Sequence, residues 1–176
     1  MINVISWGML PGEESLSFPC DTMPGEFDGT YFRGITIYTE PSIIHQWLTQ
    51  MRVAPYSYDW INNLGRISPQ RLLKDQAELQ IGQTMMHIFD VVQFRSPFEL
   101  TLRVKPRSFG KWLFGDILLS YLVVPGDGHS SRLLVKIHRR FNRDPLGFFM
   151  RYFLPWANLI MHRKQLILFK QLSEKD

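Results

Sequence analysis

Aromatic and acidic residues between positions 56 and 60 form the most concentrated set of groups for ligand recognition. Tyr56, Tyr58, Asp59 and Trp60 follow closely on one another. The two phenols and the carboxylate could orient a polar ligand group while Trp60 stacks on a ring. The preferred alternative is structural: the aromatic rings anchor a short helix, and Asp59 caps it or pairs with an arginine such as Arg33.

Histidines are the next candidates for chemistry, at His45, His87, His138 and His162, with His129 in a turn. None has Cys, Asp or Glu at a metal-ligand spacing, so no metal or cofactor is predicted. Asp90 lies three residues after His87 and therefore on the opposite face of a strand, which excludes a dyad there. No serine or phosphate-loop motif is present. The sequence leaves open whether the chain is an enzyme.

Arg139 is a third candidate because of its place in an alternating strand. Strict alternation groups it with Leu133, Val135 and Ile137, which predicts an inward-pointing guanidinium. A buried guanidinium needs an internal carboxylate or a ligand carboxylate as its partner. The alternative, slightly preferred, is that the strand ends or bulges before Arg139 and the side chain reaches water.

The composition limits the class of protein. The 176 residues are 45% hydrophobic and 14% aromatic, which predicts one globular domain with a substantial core. A lone cysteine, Cys20, and the lack of a secretory signal near Met1 favour a cytoplasmic location. The net charge is +4, but no nucleic-acid-binding module accompanies it, so nucleic acid is not an expected partner. The oligomeric state stays open.

Periodicity predicts strands and helices in a simple order. Residues 1–30 are rich in Pro and Gly and are expected to pack on the domain formed by residues 31–176, with a short turn near 12–16. Strands are predicted at 31–39, 84–94, 98–104, 113–124 and 132–141. Short helices are predicted at 42–51 and 57–64, with one helical turn at 68–73, a loop at 74–82, and a long amphipathic helix at 146–172.

This order predicts an α+β helix-grip fold. Short connections between the late strands imply an antiparallel meander. A curved sheet wrapped around the C-terminal helix buries the apolar faces of both, with the short helices between the first and second strands. Such a sheet commonly leaves a cavity between the helix and the strands.

Several motifs resemble the START-like superfamily, also called SRPBCC, and its polyketide cyclase/dehydratase-like bacterial branch. They are Arg33-Gly-Ile-Thr-Ile, Trp47-Leu-Thr-Gln-Met51, Tyr56-Ser-Tyr-Asp-Trp60 and Asn63-Leu-Gly65, with Trp7-Gly8, Gly82 and Met161-His-Arg-Lys164 in the same pattern. The resemblance implies a deep apolar pocket for a lipid-like, aromatic or polyketide-like molecule. It does not imply a reaction, since the superfamily includes both carriers and cyclases.

The expected function is therefore to bind or carry a hydrophobic small molecule. An apolar lining is expected from Phe98, Tyr121, Phe153, Trp156 and Ile160, and polar orientation from Tyr56, Tyr58 or Arg139. The alternative is a cyclase or dehydratase in which Tyr58, Asp59 or His87 moves protons. A peripheral lipid-transfer protein that contacts membrane surfaces is a weaker alternative.

Overall fold

The computed structural model describes residues 3–56, 68–73 and 78–175. Its strands are β1 (Ser6–Trp7), β2 (Gly29–Ile37), β3 (Thr84–Met85), β4 (Phe89–Arg95), β5 (Glu99–Val104), β6 (Asp116–Pro125) and β7 (Ser131–Arg140). Its α-helices are α1 (Pro41–Thr49), α2 (Phe109–Phe114) and α3 (Pro145–Ser173). Three short 3-10 turns lie at Glu13–Ser15, Pro19–Thr22 and Gln50–Arg52. The predicted helix at 57–64 lies outside the described residues.

Within the described residues, the seven strands form one sheet in the order β1-β2-β7-β6-β5-β4-β3. The strands from β4 to β7 form the predicted antiparallel meander, and β2 closes onto β7. β1 runs parallel to β2, which makes the sheet mixed. The inner face carries Leu100, Leu102, Leu133, Val135 and Ile137, all of which belong to the main core. The α+β helix-grip prediction is confirmed.

The C-terminal helix α3 begins at a well-formed cap. The Asp144 carboxylate accepts a hydrogen bond from the backbone N–H of Gly147 at 2.6 Å, and Pro145 occupies the first helical position. Toward its end, α3 buries Leu166, Phe169 and Leu172 in the main core. No helix among the described residues is both apolar enough and long enough to cross a bilayer.

Three local predictions need correction. The predicted strand at 84–94 divides into β3 and β4 because Met86 and His87 adopt positive φ angles of 47° and 66°. The strand predicted from 113 starts at Asp116, since residues 109–114 form α2. Residues 68–73 form no helical turn: the Gln50 carboxamide instead binds this segment, donating to the Arg71 carbonyl at 3.0 Å and accepting from the Leu73 N–H at 2.9 Å.

The N-terminal segment covers part of the outer face of the sheet. Phe18 and Cys20 pack there against Leu118 and Leu134 in a second hydrophobic cluster. Ion pairs fix the segment to β7, with Glu13 2.7 Å from Arg132 and Asp21 2.5 Å from Lys136. The sheet is therefore buried on both sides near β6 and β7. Titratable side chains lie on both of its faces.

Candidate functional site

Three polar side chains lie on the inner face where β2 meets β7. The register pairs Gly29 with Arg139, Tyr31 with Ile137, and Arg33 with Val135. Alternation then places the side chains of Tyr31, Arg33 and Arg139 on the same face as the apolar core. All three are buried, with exposed fractions of 8%, 0% and 5%. Two guanidinium groups therefore lie between the sheet and α3.

Arg139 is the least satisfied of these groups. Among the described residues, its Nε and Nη1 atoms have no hydrogen-bond partner and its guanidinium forms no ion pair. Its guanidinium carbon lies 5.8 Å from the centre of the Phe141 ring. Burial lowers the pKa of Arg139 to about 10, opposed by Tyr31, so the side chain stays cationic at neutral pH. Within the part of the chain that the structure describes, this buried cation has no counter-charge, an uncommon feature that needs explanation.

The preferred prediction, that the strand ends or bulges before Arg139 and lets its side chain reach water, is wrong. β7 continues through Arg140 and keeps an unbroken register with both neighbouring strands, so there is no bulge or early end to turn Arg139 toward water. The inward orientation predicted by strict alternation is the observed one.

Arg33 is as buried as Arg139 and its Nε also lacks a partner among the described residues, but both of its Nη atoms form hydrogen bonds. Its Nη1 donates to the carbonyls of Ile5 and Phe32 at 2.9 and 2.7 Å. Its Nη2 donates to the Val4 carbonyl at 2.9 Å and contacts Asn158 Oδ1 at 3.4 Å. Arg33 thus ties the residues just before β1 to β2 and α3. This role is structural.

His162 on α3 carries a perturbed imidazole near the two arginines. Its Nδ1 lies 3.2 Å from the backbone oxygen of Asn158. Burial first, and then the positive charges of Arg33 and Arg139, lower the pKa of His162 to about 4. The ring is therefore neutral at pH 7, and since a carbonyl only accepts, Nδ1 carries the proton. Nε2 is left with a lone pair that can accept a proton.

Tyr121 and Tyr56, two predicted ligand contacts, lie in the core. The Tyr121 hydroxyl donates to Gln165 Oε1 at 2.8 Å, and Gln165 Nε2 donates to the Pro55 carbonyl at 2.7 Å. Burial raises the pKa of Tyr121. The Tyr56 ring meets the Trp47 ring edge-on at 5.7 Å, and its hydroxyl bonds to Gln50. Both phenols have internal partners that hold α3 and the segment after α1 in place.

The remaining predicted residues lie elsewhere. Phe153, Trp156 and Ile160 are 57%, 50% and 52% exposed, on the side of α3 away from the core. Phe98 is half-buried in the turn between β4 and β5, where its carbonyl accepts from the Val123 N–H at 2.7 Å. Tyr58, Asp59 and Trp60 lie outside the described residues. His87, a predicted proton carrier, is exposed in the turn between β3 and β4.

The outer face holds a second cluster with metal-ligand chemistry. Potential ligand atoms of Cys20, Asp21 and His138 lie within 4.8 Å of one another. Lys136 Nζ, however, pairs with Asp21 Oδ1, and His138 Nδ1 bonds to the Thr30 hydroxyl at 2.9 Å. Burial raises the pKa of the Cys20 thiol to about 11, which disfavours the thiolate that binds metals. The cluster is better suited to fixing the N-terminal segment than to holding a cation.

Sequence reasoning did not show that Tyr31 and Arg33 lie on the same inner face as Arg139. The available signal was the alternation of β2, which puts a phenol and a cation in line with Ile35 and Ile37 on the inner face. Only the pairing of β2 with β7 shows that these residues share the inner face with Arg139.

Comparison with known proteins gives structural likeness only. No family model and no curated protein matches the sequence. Among solved structures, hypothetical protein jhp0584 of Helicobacter pylori is similar, with a TM-score of 0.58 and 15% identity over 90% of this chain and 95% of that one. Protein MLL2253 of Mesorhizobium loti has a TM-score of 0.52 and 10% identity over 83% of this chain and 97% of that one.

A biosynthetic protein also shares the architecture. The di-domain ARO/CYC protein StfQ, from the steffimycin biosynthetic pathway, has a TM-score of 0.50 and 10% identity. The match covers 83% of this chain and 50% of StfQ. At this level of identity, the three likenesses show that the chain shares one helix-grip fold with these proteins.

Proposed function

We propose that the chain binds a hydrophobic small molecule with an anionic group, on the inner face of the sheet beneath α3. The observation that carries this proposal is the buried guanidinium of Arg139, whose Nε and Nη1 lack partners among the described residues. Leaving such a charge unpaired costs several kcal/mol by usual estimates. A carboxylate or enolate on the ligand would supply the missing counter-charge.

The surroundings favour a ligand that is otherwise apolar. On the same face of β7, Ile137 and Val135 belong to the buried main core, and the Phe141 ring lies against the guanidinium. An apolar ligand body gains about 25 cal/mol per Å² buried. A charge-assisted hydrogen bond adds about 1.5–3 kcal/mol. Affinity would come mainly from the body, and selectivity from Arg139.

A paired-probe experiment tests this assignment. The protein is titrated, without vesicles, with a fluorescent long-chain fatty acid and with its methyl ester, which differ only in charge at one end. We expect the acid to bind at least about tenfold more tightly than the ester, the equivalent of one charge-assisted hydrogen bond. Arg139→Met should remove this preference while retaining ester binding.

The neighbouring residue provides a matched control. Arg140 is the next residue along β7, faces the other side of the sheet and pairs with Glu26 at 3.3 Å. Arg140→Met removes the same charge one position away and should leave the preference for the acid unchanged. Equal binding of acid and ester by the unmodified protein would refute the proposal, as would an unchanged preference in Arg139→Met.

A second candidate function is favoured by His162. The neutral imidazole of His162, with a lone pair on Nε2, lies in the field of Arg139. The imidazole could remove a proton beside a carbonyl, and the guanidinium could stabilise the enolate that forms. This is the chemistry that a cyclase or dehydratase needs. StfQ, which shares the fold, is described as an ARO/CYC protein.

Isotope exchange distinguishes catalysis from binding alone. An aryl β-keto ester is incubated with the protein in D₂O, and deuterium uptake at the carbon between the carbonyls is followed by mass spectrometry. If the protein catalyses proton removal, deuterium exchange should be faster than in buffer alone, and His162→Gln should lose this acceleration. His129→Gln, at an exposed position, is the control. Exchange at the buffer rate would eliminate the enzymatic candidate and leave the binding proposal intact.

A further inference from the structure

One end of the molecule exposes an unusual density of aromatic rings. On α2, Phe109 and Trp112 are 72% and 61% exposed, with ring centres 5.4 Å apart. On the first turns of α3, Phe148, Phe149 and Tyr152 are 65%, 64% and 67% exposed. These five residues are called the aromatic end. Their rings project from short and terminal helical turns, outside the main core.

The two helices form one continuous surface. The Asn142 side chain, in the turn before α3, donates to the backbone oxygen of Trp112 at 2.6 Å, and α2 contacts α3 directly. Isolated exposed apolar side chains are normal on protein surfaces, but five large rings gathered at one end form a patch of the kind that marks a docking site.

Cationic groups border this patch. A cleft of about 300 Å³ between α2 and the turn before α3 is lined by Lys111, Asp116, Arg140, Phe141, Asn142 and Arg143. Arg143 and Arg107 are exposed, and neither forms an ion pair among the described residues. Asp116 is neutralised by Arg103 at 2.7 Å. Three other nearby carboxylates are engaged as well: Asp144 caps α3, Glu26 pairs with Arg140, and Asp28 accepts from the Phe141 N–H and lies 4.0 Å from Arg151.

We propose that the aromatic end and its basic cleft dock this protein on the surface of an anionic lipid bilayer. Trp, Tyr and Phe rings partition into the headgroup region, and flanking Lys and Arg side chains attract anionic headgroups. The aromatic end supplies the first element, and Arg107, Lys111 and Arg143 supply the second. The protein lies on the membrane and does not cross it.

Charge argues against a second copy of the chain as the occupant. In a two-fold symmetric dimer, the same patch faces itself. The exposed Arg107 and Arg143 of one copy would then face the basic groups of the same patch on the other copy, and like charges at an interface are destabilising. An anionic bilayer satisfies both the apolar and the cationic parts of the surface.

Vesicle sedimentation of the full chain tests the proposal. We expect binding to vesicles of 70% phosphatidylcholine and 30% phosphatidylglycerol, at least tenfold weaker binding to pure phosphatidylcholine, and weakening as NaCl rises. The double variant Trp112→Ser/Phe149→Ser should lose at least tenfold in binding to the anionic vesicles. Arg107→Glu/Arg143→Glu should lose the preference for anionic vesicles.

Controls at the other end of the molecule show whether the effect is local. Tyr38 is 68% exposed and contacts Lys170 near the end of α3. Lys175, just after the end of α3, is also exposed. Tyr38→Ser and Lys175→Glu should bind vesicles like the unmodified protein. The losses expected in Trp112→Ser/Phe149→Ser and Arg107→Glu/Arg143→Glu, at exposed residues outside the main core, distinguish docking from uptake of a single lipid by the proposed ligand site.

Two results would overturn the proposal. One is equal binding to neutral and anionic vesicles, or no binding to either, by a protein whose circular dichroism shows that it is folded. The other is a stable dimer in light scattering that dissociates in Trp112→Ser/Phe149→Ser, which would assign the aromatic end to self-association.

Discussion

Arg139→Met is expected to stabilise the ligand-free protein. The guanidinium is 5% exposed, and two of its three nitrogens lack hydrogen-bond partners among the described residues. Methionine is shorter than arginine, carries no charge and has a flexible side chain that fills irregular spaces. A residue that is retained for a ligand is expected to reduce stability where it stands, so a gain on its removal supports a functional role.

The magnitude follows from the effect of burial on the pKa. Burial lowers the pKa of Arg139 from 12.5 to about 10, and a tenfold change in an acid constant corresponds to about 1.4 kcal/mol. The charged form is therefore disfavoured in the folded protein by roughly 3 kcal/mol. Allowing for packing lost with the longer side chain, the free energy of unfolding should rise by about 1–3 kcal/mol. The melting temperature should then rise by about 2–4 °C per kcal/mol.

Urea denaturation of the ligand-free protein measures this change, and two other arginines serve as comparisons. Arg140→Met removes an exposed charge and should change stability by less than about 1 kcal/mol. Arg33→Met removes the donor to the Val4 and Ile5 carbonyls and should destabilise by about 2–4 kcal/mol. If Arg139→Met were destabilising to the same extent as Arg33→Met, the guanidinium would have a structural partner and the reasoning would fail.

Two further predictions concern the interior of the helix grip. The pKa of His162 is about 4 in the folded protein against 6.5 when unperturbed, so its contribution to stability is present above pH 6.5 and is lost as the pH falls toward 4. Between pH 7 and pH 4, the free energy of unfolding should fall in every variant, but the fall in His162→Gln should be smaller than in the unmodified protein by up to about 3 kcal/mol. His129→Gln should behave as the unmodified protein. Gln165→Leu leaves the Tyr121 hydroxyl and the Pro55 carbonyl without partners and should cost about 2–4 kcal/mol in urea denaturation. In a double-mutant cycle with Tyr121→Phe, additive losses would contradict the shared hydrogen bond.

The long helix shows how far periodicity can be used. Its limits are predicted to within one residue at each end, since its apolar repeat is helical from 146 to 172. Its orientation about its own axis is a different matter. The buried side includes the polar residues Asn158 and Gln165, while the most aromatic side faces away from the core. A prediction that buries the largest rings therefore assigns Phe153 and Trp156 to the wrong side of the helix.

Local sequence determines much of the remaining architecture. Alternation and turn residues predict the meander from β4 to β7, because strand periodicity and hairpin connections act over a few residues. Alternation also predicts that Arg139 points inward. It cannot show which groups meet that side chain, because Tyr31 and His162 come from β2 and α3, far away in the chain.

The sequence by itself determined the helix-grip order of elements and the inward face of β7, since both depend on short-range periodicity. Only the tertiary structure decided that Arg33 has carbonyl partners whereas Nε and Nη1 of Arg139 have none among the described residues. The same holds for the aromatic end, whose exposure depends on how α3 is rotated against the sheet. Partnership and exposure are properties of contacts between distant segments, and polar groups such as Asn158 and Gln165 are buried only because those contacts satisfy them.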